Sequence, residues 1–528
     1  MTKQKTVIAA ALGECVHVAG INNFLNLASK AGWRTIFLGP AVSIESLIET
    51  AKKEQPDLIG ISYRLTPETG ERLIAQFAEL ASDLKDSGMI FAFGGTPPVA
   101  ARVSKIDFFD VIFDGSQSDE AVLTWLKGSN LERQTERDWP QTAIERILWK
   151  RPMPLLRHHF GLPTMSATLE GIRQIADARA IDVISLGIDQ DAQANFFHPE
   201  RQDPRRFGAG GVPVRSEDDY RALYEASRTG NFPLLRTYSG TDDFIHLAEM
   251  YMRTIRIAWC AIPLFWFNQM DGRGPWDLKG SIRQHQEVMR FYGRHGIPVE
   301  LNEPHHWGMR DASDVVFVTS GFLAAYNAKA FGVKDYIAQL MFNSPPGLSD
   351  AMDLSRMLAI LAMIEELKSE DFRVWKQTRT GLLSFPLEPV AARAHLAAAT
   401  YLQMALEPDI VHIVAPCEAD HAAQPEDVIE ASRIVRRVVE TSLKGAPQMQ
   451  LDPHIQARTS ALIEQSRSLL EKIAGLAPPA VSDPWTDPET LTKAVTSGLL
   501  DAPQLKNNRF ALGKVHTEII DGMSVALR

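Results

Sequence analysis

The sequence predicts an α/β protein of two parallel-sheet units, an N-terminal doubly wound (flavodoxin-like) domain and a C-terminal (β/α)8 TIM barrel. Three observations carry this prediction. Short apolar runs of strand length alternate with helical periodicity along most of the 528 residues. The alternation is tight up to Phe113 and resumes in longer units beyond residue 160, over about 300 residues, the length of a closed barrel. Polar residues cluster just after the later strands, on the face where barrel sites form.

The first unit spans 1–127. Strands are predicted at Thr6–Ala11, Thr35–Leu38, Leu58–Ser62, Met89–Phe93 and Val111–Phe113, with helices such as Ile44–Glu54 and Glu71–Ser87 between them. The apolar stretch from Thr6 to Leu12 is short for a secretory signal and runs straight into a domain, so it reads as the first strand. The loop after it reads Cys15-Val16-His17-Val18-Ala19-Gly20. In open α/β sheets ligands sit outside the carboxyl ends of strands, where strand order reverses. A neutral imidazole there, His17, suits a transition metal. Gly20 is read as the turn into a helix starting near Ile21. Ser62 ends a buried strand and offers a hydroxyl, Arg64 follows it, and Gly94-Gly95 lets a flat group approach the backbone. Gly115, just past the fifth strand, joins this set.

A connector is read over 128–159, polar and partly helical from Gly128 to Arg151 and punctuated by Pro152 and Pro154. The barrel with a C-terminal extension is placed at 160–528. Its strand candidates are Asp182–Ile188, Pro233–Tyr238, Ala261–Phe267, Pro298–Asn302, Tyr336–Phe342, Arg373–Gln377 and Ile410–Val414, with helices such as Ser281–His295 and Leu354–Leu367. The polar residues that follow include Arg236, Tyr238, Asn268, Gln269, Asp271, Arg273, Glu303 and Glu418.

Composition bounds the function. Charged residues at 23% and hydrophobic residues at 45% fit a soluble globular enzyme, and a net charge of −10 without a basic tract argues against nucleic acid. The three cysteines, Cys15, Cys260 and Cys417, lack metal-site spacing and suit a reducing, cytoplasmic setting. No run reaches transmembrane length. The expected partner is a small-molecule substrate, with neither nucleic acid nor membrane, and a homodimer is left open.

The ordered set His17, Gly20, Ser62 and Gly94-Gly95 resembles the cobalamin-binding domain of corrinoid enzymes, with Asp-x-His-x-x-Gly, a later serine and a later Gly-Gly. The resemblance implies that His17 is the lower cobalt ligand and that Cys15, Val16, Val18, Gly20, Ser62, Arg64, Gly94, Gly95 and Gly115 surround the cofactor. Cys15 stands where that pattern has aspartate, and a thiol is a poor acceptor for the ligand's second N–H.

The later half resembles the catalytic component of adenosylcobalamin-dependent mutases, chiefly glutamate mutase and the ornithine and lysine aminomutases. Pro233-Leu234-Leu235-Arg236-Thr237-Tyr238-Ser239-Gly240-Thr241 is similar to the glutamate mutase segment with a substrate-carboxylate arginine. Val414-Ala415-Pro416-Cys417-Glu418-Ala419 is similar to its Pro-His-Glu-Ala segment, and Thr496–Pro503 to a C-terminal signature of both groups. Asn268–Arg273 is closer to the aminomutases. The resemblance implies adenosylcobalamin (cobalt), radical chemistry and a 1,2-rearrangement of a small carboxylate-bearing substrate. In that reading Arg236 anchors the substrate and Glu418 positions the adenosyl ribose. Asn268, Gln269, Asp271, Arg273 and Glu303 are further polar candidates.

Two departures narrow the reading. After what is read as the first barrel strand, Asp189–Asn195 carries no arginine, which argues against glutamate itself. The aminomutase lysine, eleven residues past the cobalt ligand, is Ala28 here, and Lys30 lies about 200° further round a helix. Alanine forms no imine, so pyridoxal phosphate is not expected. The alternatives are a corrinoid-dependent methyltransferase and a non-catalytic cobalamin-binding protein.

Overall fold

The computed structural model describes residues 4–117, 119–128 and 135–527, in two compact units, Met1–Thr135 and Glu136–Arg528. The first unit holds five parallel strands, β1 (Thr6–Leu12), β2 (Arg34–Val42), β3 (Leu58–Tyr63), β4 (Ile90–Gly95) and β5 (Val111–Phe113), in the order β2-β1-β3-β4-β5. Strand order reverses between β1 and β3, the switch point at which such sheets bind ligands. The helices are α1 (Ala19–Lys30), α2 (Ile44–Glu54), α3 (Pro67–Leu80), α4 (Ser82–Asp86), α5 (Pro97–Val103) and α6 (Asp119–Lys127).

The period of two in β1 explains the layering. Ile8, Ala10 and Leu12 enter one core with Ile48 and Phe77, while Val7 and Ala9 enter the other with Ile21 and Leu25. Ser43 caps α2 by accepting Ser46 N at 3.2 Å, and proline opens α3 and α5 where a missing N–H costs nothing. The single helix read over 71–87 is instead two, meeting at Ala81. There Ser82 Oγ donates to Glu79 O at 2.9 Å, competing for a helix carbonyl.

The second unit is a ring of eight strands. These are β6 (Leu155–Phe160), β7 (Val183–Leu186), β8 (Leu234–Arg236), β9 (Cys260–Ile262), β10 (Val299–Leu301), β11 (Asp335–Phe342), β12 (Arg373–Thr380) and β13 (Ile410–His412). Every ladder is parallel, in the order β8-β7-β6-β13-β12-β11-β10-β9. A single bridge, Tyr238 to Ala261, joins the two ends. Beyond the ring, a helix over Pro453–Ala474 packs on the helices Asp314–Ala330 and Asp350–Glu365, and an antiparallel hairpin, β14 (His516–Ile520) and β15 (Met523–Leu527), ends the described chain.

The first barrel strand lies inside the stretch read as connector. Leu-Leu-Arg-His-His-Phe shows no apolar alternation because its inward face is polar, and the sequence hides it. Asp189–Asn195 therefore follows the second barrel strand, not the first. Of that connector, residues 129–134 lie outside the described residues. The strand predicted at Ala261–Phe267 stops at Ile262, because Pro263 has no N–H for the ladder.

The floor of the barrel is apolar. The first residues of four strands, Leu155, Val183, Leu234 and Ile410, join Trp259, Ile337 and Trp375 in one buried cluster. Ala143 and Ile147 of the helix Ala143–Lys150 belong to the same cluster and close the amino end. Chemistry is thereby confined to the carboxyl half of the lumen.

Candidate functional site

Two places gather functional groups, one in each unit. The first is a groove of about 380 Å³ at the carboxyl ends of β1, β3 and β4. His17, Gly20, Ser62, Arg64, Gly94, Gly95 and Gly115 line it, together with Phe24, Phe93 and Phe113. His17 stands exposed in the β1–α1 loop. Three residues counted with it do not line the groove: Cys15 is fully buried in the core beneath the loop, Val16 points to solvent at 62% exposure, and Val18 packs against the cores. Of the four residues Cys15 to Val18, His17 is the one that lines the groove. Gly20 lies within the first turn of α1, which begins at Ala19, so it makes no special turn. Its worth is the bare surface it leaves, since a Cβ there meets nothing within 4 Å.

The groove fits a long polar-edged ligand tail. Ser62 Oγ is buried without a hydrogen-bond partner among the described residues, although buried hydroxyls are nearly always paired. A Cβ on Gly94 would meet only Ile61 O at 4.0 Å, and one on Gly115, at φ +90°, would meet nothing. Both glycines therefore keep space open rather than relieve packing. Gly95 differs, because a Cβ there would strike Phe93 at 2.8 Å. The donor set suits cobalamin: an exposed imidazole for cobalt, an orphan hydroxyl for the tail, and bare backbone at the two glycines.

The second place is the barrel lumen. Arg157 from β6 and Arg236 from β8 both reach Glu300 on β10, and none of these strands is adjacent to another, so the three meet inside the ring. Arg157 Nη1 donates to Glu300 Oε2 at 2.9 Å and to Gln377 Oε1 at 3.0 Å. Arg236 Nη2 donates to both Glu300 oxygens at 3.2 and 3.1 Å, and Trp259 Nε1 donates at 2.6 Å. Burial pushes Glu300 up, but Arg236 and Arg157 more than offset it and hold the carboxyl below its ordinary range. Burial pushes Arg157 down to about 9, still charged at neutral pH. Arg379, near the carboxyl end of β12, is also buried and pushed down by burial.

Cation therefore exceeds anion in the lumen, with three guanidiniums about one carboxylate. Arg236 Nε and Nη1 and Arg379 Nε are buried without partners among the described residues. Histidines ring the layer above. Burial, reinforced by the arginines, holds His159, His412, His305 and His306 well below the ordinary imidazole range, so all are neutral. A guanidinium only donates. Arg157 Nη2 lies 3.1 Å from His159 Nε2 and 3.3 Å from His412 Nε2, so both nitrogens accept and both rings carry their proton on Nδ1. His412 Nδ1 is buried with no partner among the described residues, an N–H donor without an acceptor. Tyr238 stacks on His159 at 5.5 Å.

Arg236 thus sits in the lumen, with half of its fork already committed to Glu300. Glu418 lies in the short turn Pro416–Ala419 after β13 and is exposed. The surrounding loops still raise its carboxyl, while Arg379 pulls it back down. The β9 loop residues serve their own loop. Asp271 accepts Phe267 N and Asn268 N and pairs with Arg273 Nε at 2.9 Å. Asn268 is tied to Phe265 O and Ser281 Oγ, and Gln269 to Pro275 O. Arg273 stacks on Phe267 at 4.2 Å. Glu303 accepts Leu264 N, Phe265 N and the indole N–H groups of Trp266 and Trp307, which fixes the turn after β9, and burial pushes it up to about 7. Arg157, Glu300, Arg379 and His412 were missed. Their signal was a charged or imidazole side chain within a strand, at the inward parity, rather than after it.

One cluster could invite a metal. Single ligand atoms of Cys417, His421 and Asp427 lie within 4.8 Å of one another. Both His421 nitrogens already face carboxylates, Asp420 at 2.7 Å and Asp427 at 3.2 Å, and burial pushes the Cys417 thiol up to about 12. The trio is consistent with a proton-bearing, carboxylate-paired histidine.

Comparison with known proteins bears on the first unit. Residues 5–123 match the B12 binding domain family, so the chain carries an N-terminal B12 binding domain. Among solved structures, a cobalamin-binding protein from Desulfitobacterium hafniense DCB-2 is 17% identical over 24% of this chain and 60% of its own, with a TM-score of 0.21. The methanol:cobalamin methyltransferase complex from Methanosarcina barkeri is 21% identical over 24% of this chain and 47% of its own, with a TM-score of 0.20. This chain thus spans less than two thirds of either. Ribulose-1,5-bisphosphate carboxylase/oxygenase from Pyrococcus horikoshii OT3 is 15% identical over 63% of this chain and 69% of its own, with a TM-score of 0.35.

Proposed function

We propose that this chain is an adenosylcobalamin-dependent mutase that rearranges a small carboxylate-bearing substrate in its barrel. The observation that carries the reading is the coexistence, in one chain, of a B12 binding domain and a barrel lumen with three buried arginines about one glutamate. Adenosylcobalamin, when bound, supplies a carbon radical able to take a hydrogen atom from an unactivated C–H bond. The protein's part is to bind, orient and exclude water.

His17 is the residue placed to hold cobalt, and Ser62, Gly94 and Gly115 to receive the cofactor tail. Glu418 is assigned to the adenosyl ribose. Arg236 and Arg379 offer unpaired N–H donors to a substrate carboxylate, and His412 a neutral Nδ1–H. The apolar floor of Leu155, Val183, Trp259 and Trp375 keeps water from entering behind the charged layer. Ala28 lies buried in α1 and offers no amine for pyridoxal phosphate.

The test uses holoprotein loaded with adenosylcobalamin tritiated at the 5′ carbon and a panel of small carboxylates. Tritium passing into one of them supports the mutase. No transfer to any, with methylcobalamin demethylated instead by an added acceptor, supports the methyltransferase and overturns this reading.

A further inference from the structure

The lumen also says something about what the substrate lacks, an inference that rests on the carboxylate reading above. An α-amino acid brings a permanent ammonium as well as its carboxylates. A buried ammonium needs an anionic partner, or at least freedom from like charge. Among the described residues the lumen offers neither. Glu300 is its buried carboxylate, and it is saturated by Arg157, Arg236 and Trp259.

Carboxylates on the loops at the carboxyl face are engaged in the same way. Asp189 accepts the Arg215 fork, at 2.8 and 2.6 Å, along with Ala192 N and Gly208 N. Asp191 accepts Asn195 Nδ2 and Asp203 N and pairs with Arg206. Asp271 and Glu303 are held by their own loops. Among the described residues, the groups left unpaired inside are donors or neutral and include Arg236 Nε and Nη1, Arg157 Nε, Arg379 Nε, His412 Nδ1, the His306 ring nitrogens, Ser185 Oγ and Asn302 Oδ1. Of the other rim carboxylates, Asp242 accepts Trp276 Nε1 at 3.2 Å, Asp243 pairs with His198, Asp420 pairs with His421, and Glu418 is drawn to the charge of Arg379.

We infer that the substrate is a carboxylic acid without an ammonium group, its carboxylate held between the free edges of Arg236 and Arg379 and its remaining acceptors met by His412 and Ser185. The barrel is a site for acceptors. Each unpaired donor gains by meeting a carboxylate, carbonyl or hydroxyl oxygen, and each of the three guanidiniums repels an amine. The lack of a free anionic acceptor also sets specificity, because an ammonium placed here meets no counter-charge while the surrounding donors stay unsatisfied.

The experiment is calorimetric titration of the full-length protein, at one neutral pH, with four probes: succinate, glutarate, L-aspartate and L-glutamate. The expected result is binding of a dicarboxylate at least about tenfold tighter than its α-amino counterpart, the minimum that one unpaired buried charge imposes. Arg379→Gln should weaken the dicarboxylate about tenfold. Arg379 makes neither of the direct ion pairs to Glu300, so the variant keeps those of Arg157 and Arg236. Amino acids binding as tightly as the dicarboxylates, or more tightly, overturn this inference and leave the carboxylate reading standing. A dicarboxylate that binds Arg379→Gln undiminished also overturns it. Binding by none of the four overturns the carboxylate reading, and this inference with it.

Discussion

Replacing Glu300 by glutamine tests the charged layer most directly. The side chain keeps its shape, but one acceptor oxygen becomes an NH2 group. In the native lumen the two oxygens accept from Trp259 Nε1 at 2.6 Å, Arg157 Nη1 at 2.9 Å and Arg236 Nη2 at 3.1 Å. Glutamine leaves at least one guanidinium facing another donor and both guanidiniums without a counter-charge. Removing one partner of a buried pair costs about 3–5 kcal/mol. Unfolding entropy over a unit as long as Glu136–Arg528 amounts to roughly 0.8 kcal/mol per degree, so the midpoint should fall by about 4–6 °C. The assay is a calorimetric melt of wild type and variant, in low and in high salt. The loss should persist in salt, since the pair is fully buried. Glu300 is held below the ordinary carboxylate range, so its contribution is complete above the unfolded pKa and is lost as pH falls through the lower folded one. The gap between wild type and variant should therefore close in acid. A variant melting within about 1 °C of wild type at neutral pH refutes the account of Glu300 as the buried counter-charge of Arg157 and Arg236.

Other expectations concern the groove. Ser62→Ala removes a hydroxyl that has no partner among the described residues, so stability should hold or rise slightly while cobalamin affinity drops about tenfold, read by absorbance titration beside a thermal melt. Gly94→Val should fold normally, because the new Cβ meets only Ile61 O at 4.0 Å, yet lose cobalamin, because the branch stands in the groove; retained binding would place the tail elsewhere. His17→Ala should weaken cobalamin binding and remove the nitrogen hyperfine splitting of a protein imidazole from the reduced cobalt spectrum. An unchanged spectrum would show that His17 is not the ligand.

The doubly wound unit was legible because its strands are buried on both faces and therefore apolar throughout, as in Val7–Leu12 and Leu58–Ile61. Its site was legible in part. His17, Ser62 and Gly94 stand out by kind and place, whereas the direction of Cys15 into the core depends on loop geometry that spacing does not encode. The barrel was legible as a repeat and not in its chemistry. A lumen lined by Arg157, His159, Gln377 and Arg379 breaks the apolar pattern by which strands are recognised, so β6 read as connector. Looking for polar groups after strands found Asn268, Asp271 and Glu303, which hold loops together, and passed over Glu300, which lies one residue inside β10.

The seam between β8 and β9 has a mechanical consequence. Elsewhere the ring is sewn by continuous ladders, eight residues long between β11 and β12, but here it is held by one bridge and the backbone bonds Ala258 N to Leu235 O, at 2.8 Å, and Ser239 N to Ala261 O, at 3.1 Å. A ring opens first at its weakest stitch, and amide hydrogens near Leu235 and Ala261 should exchange ahead of those in β11 and β12. The Arg236–Glu300 contact spans this place from within, tying β8 to β10 across β9. It works as a clasp. Any molecule that draws Arg236 away from Glu300 loosens the hoop at the same stroke, so occupancy of the lumen and breathing of its wall are coupled through one side chain.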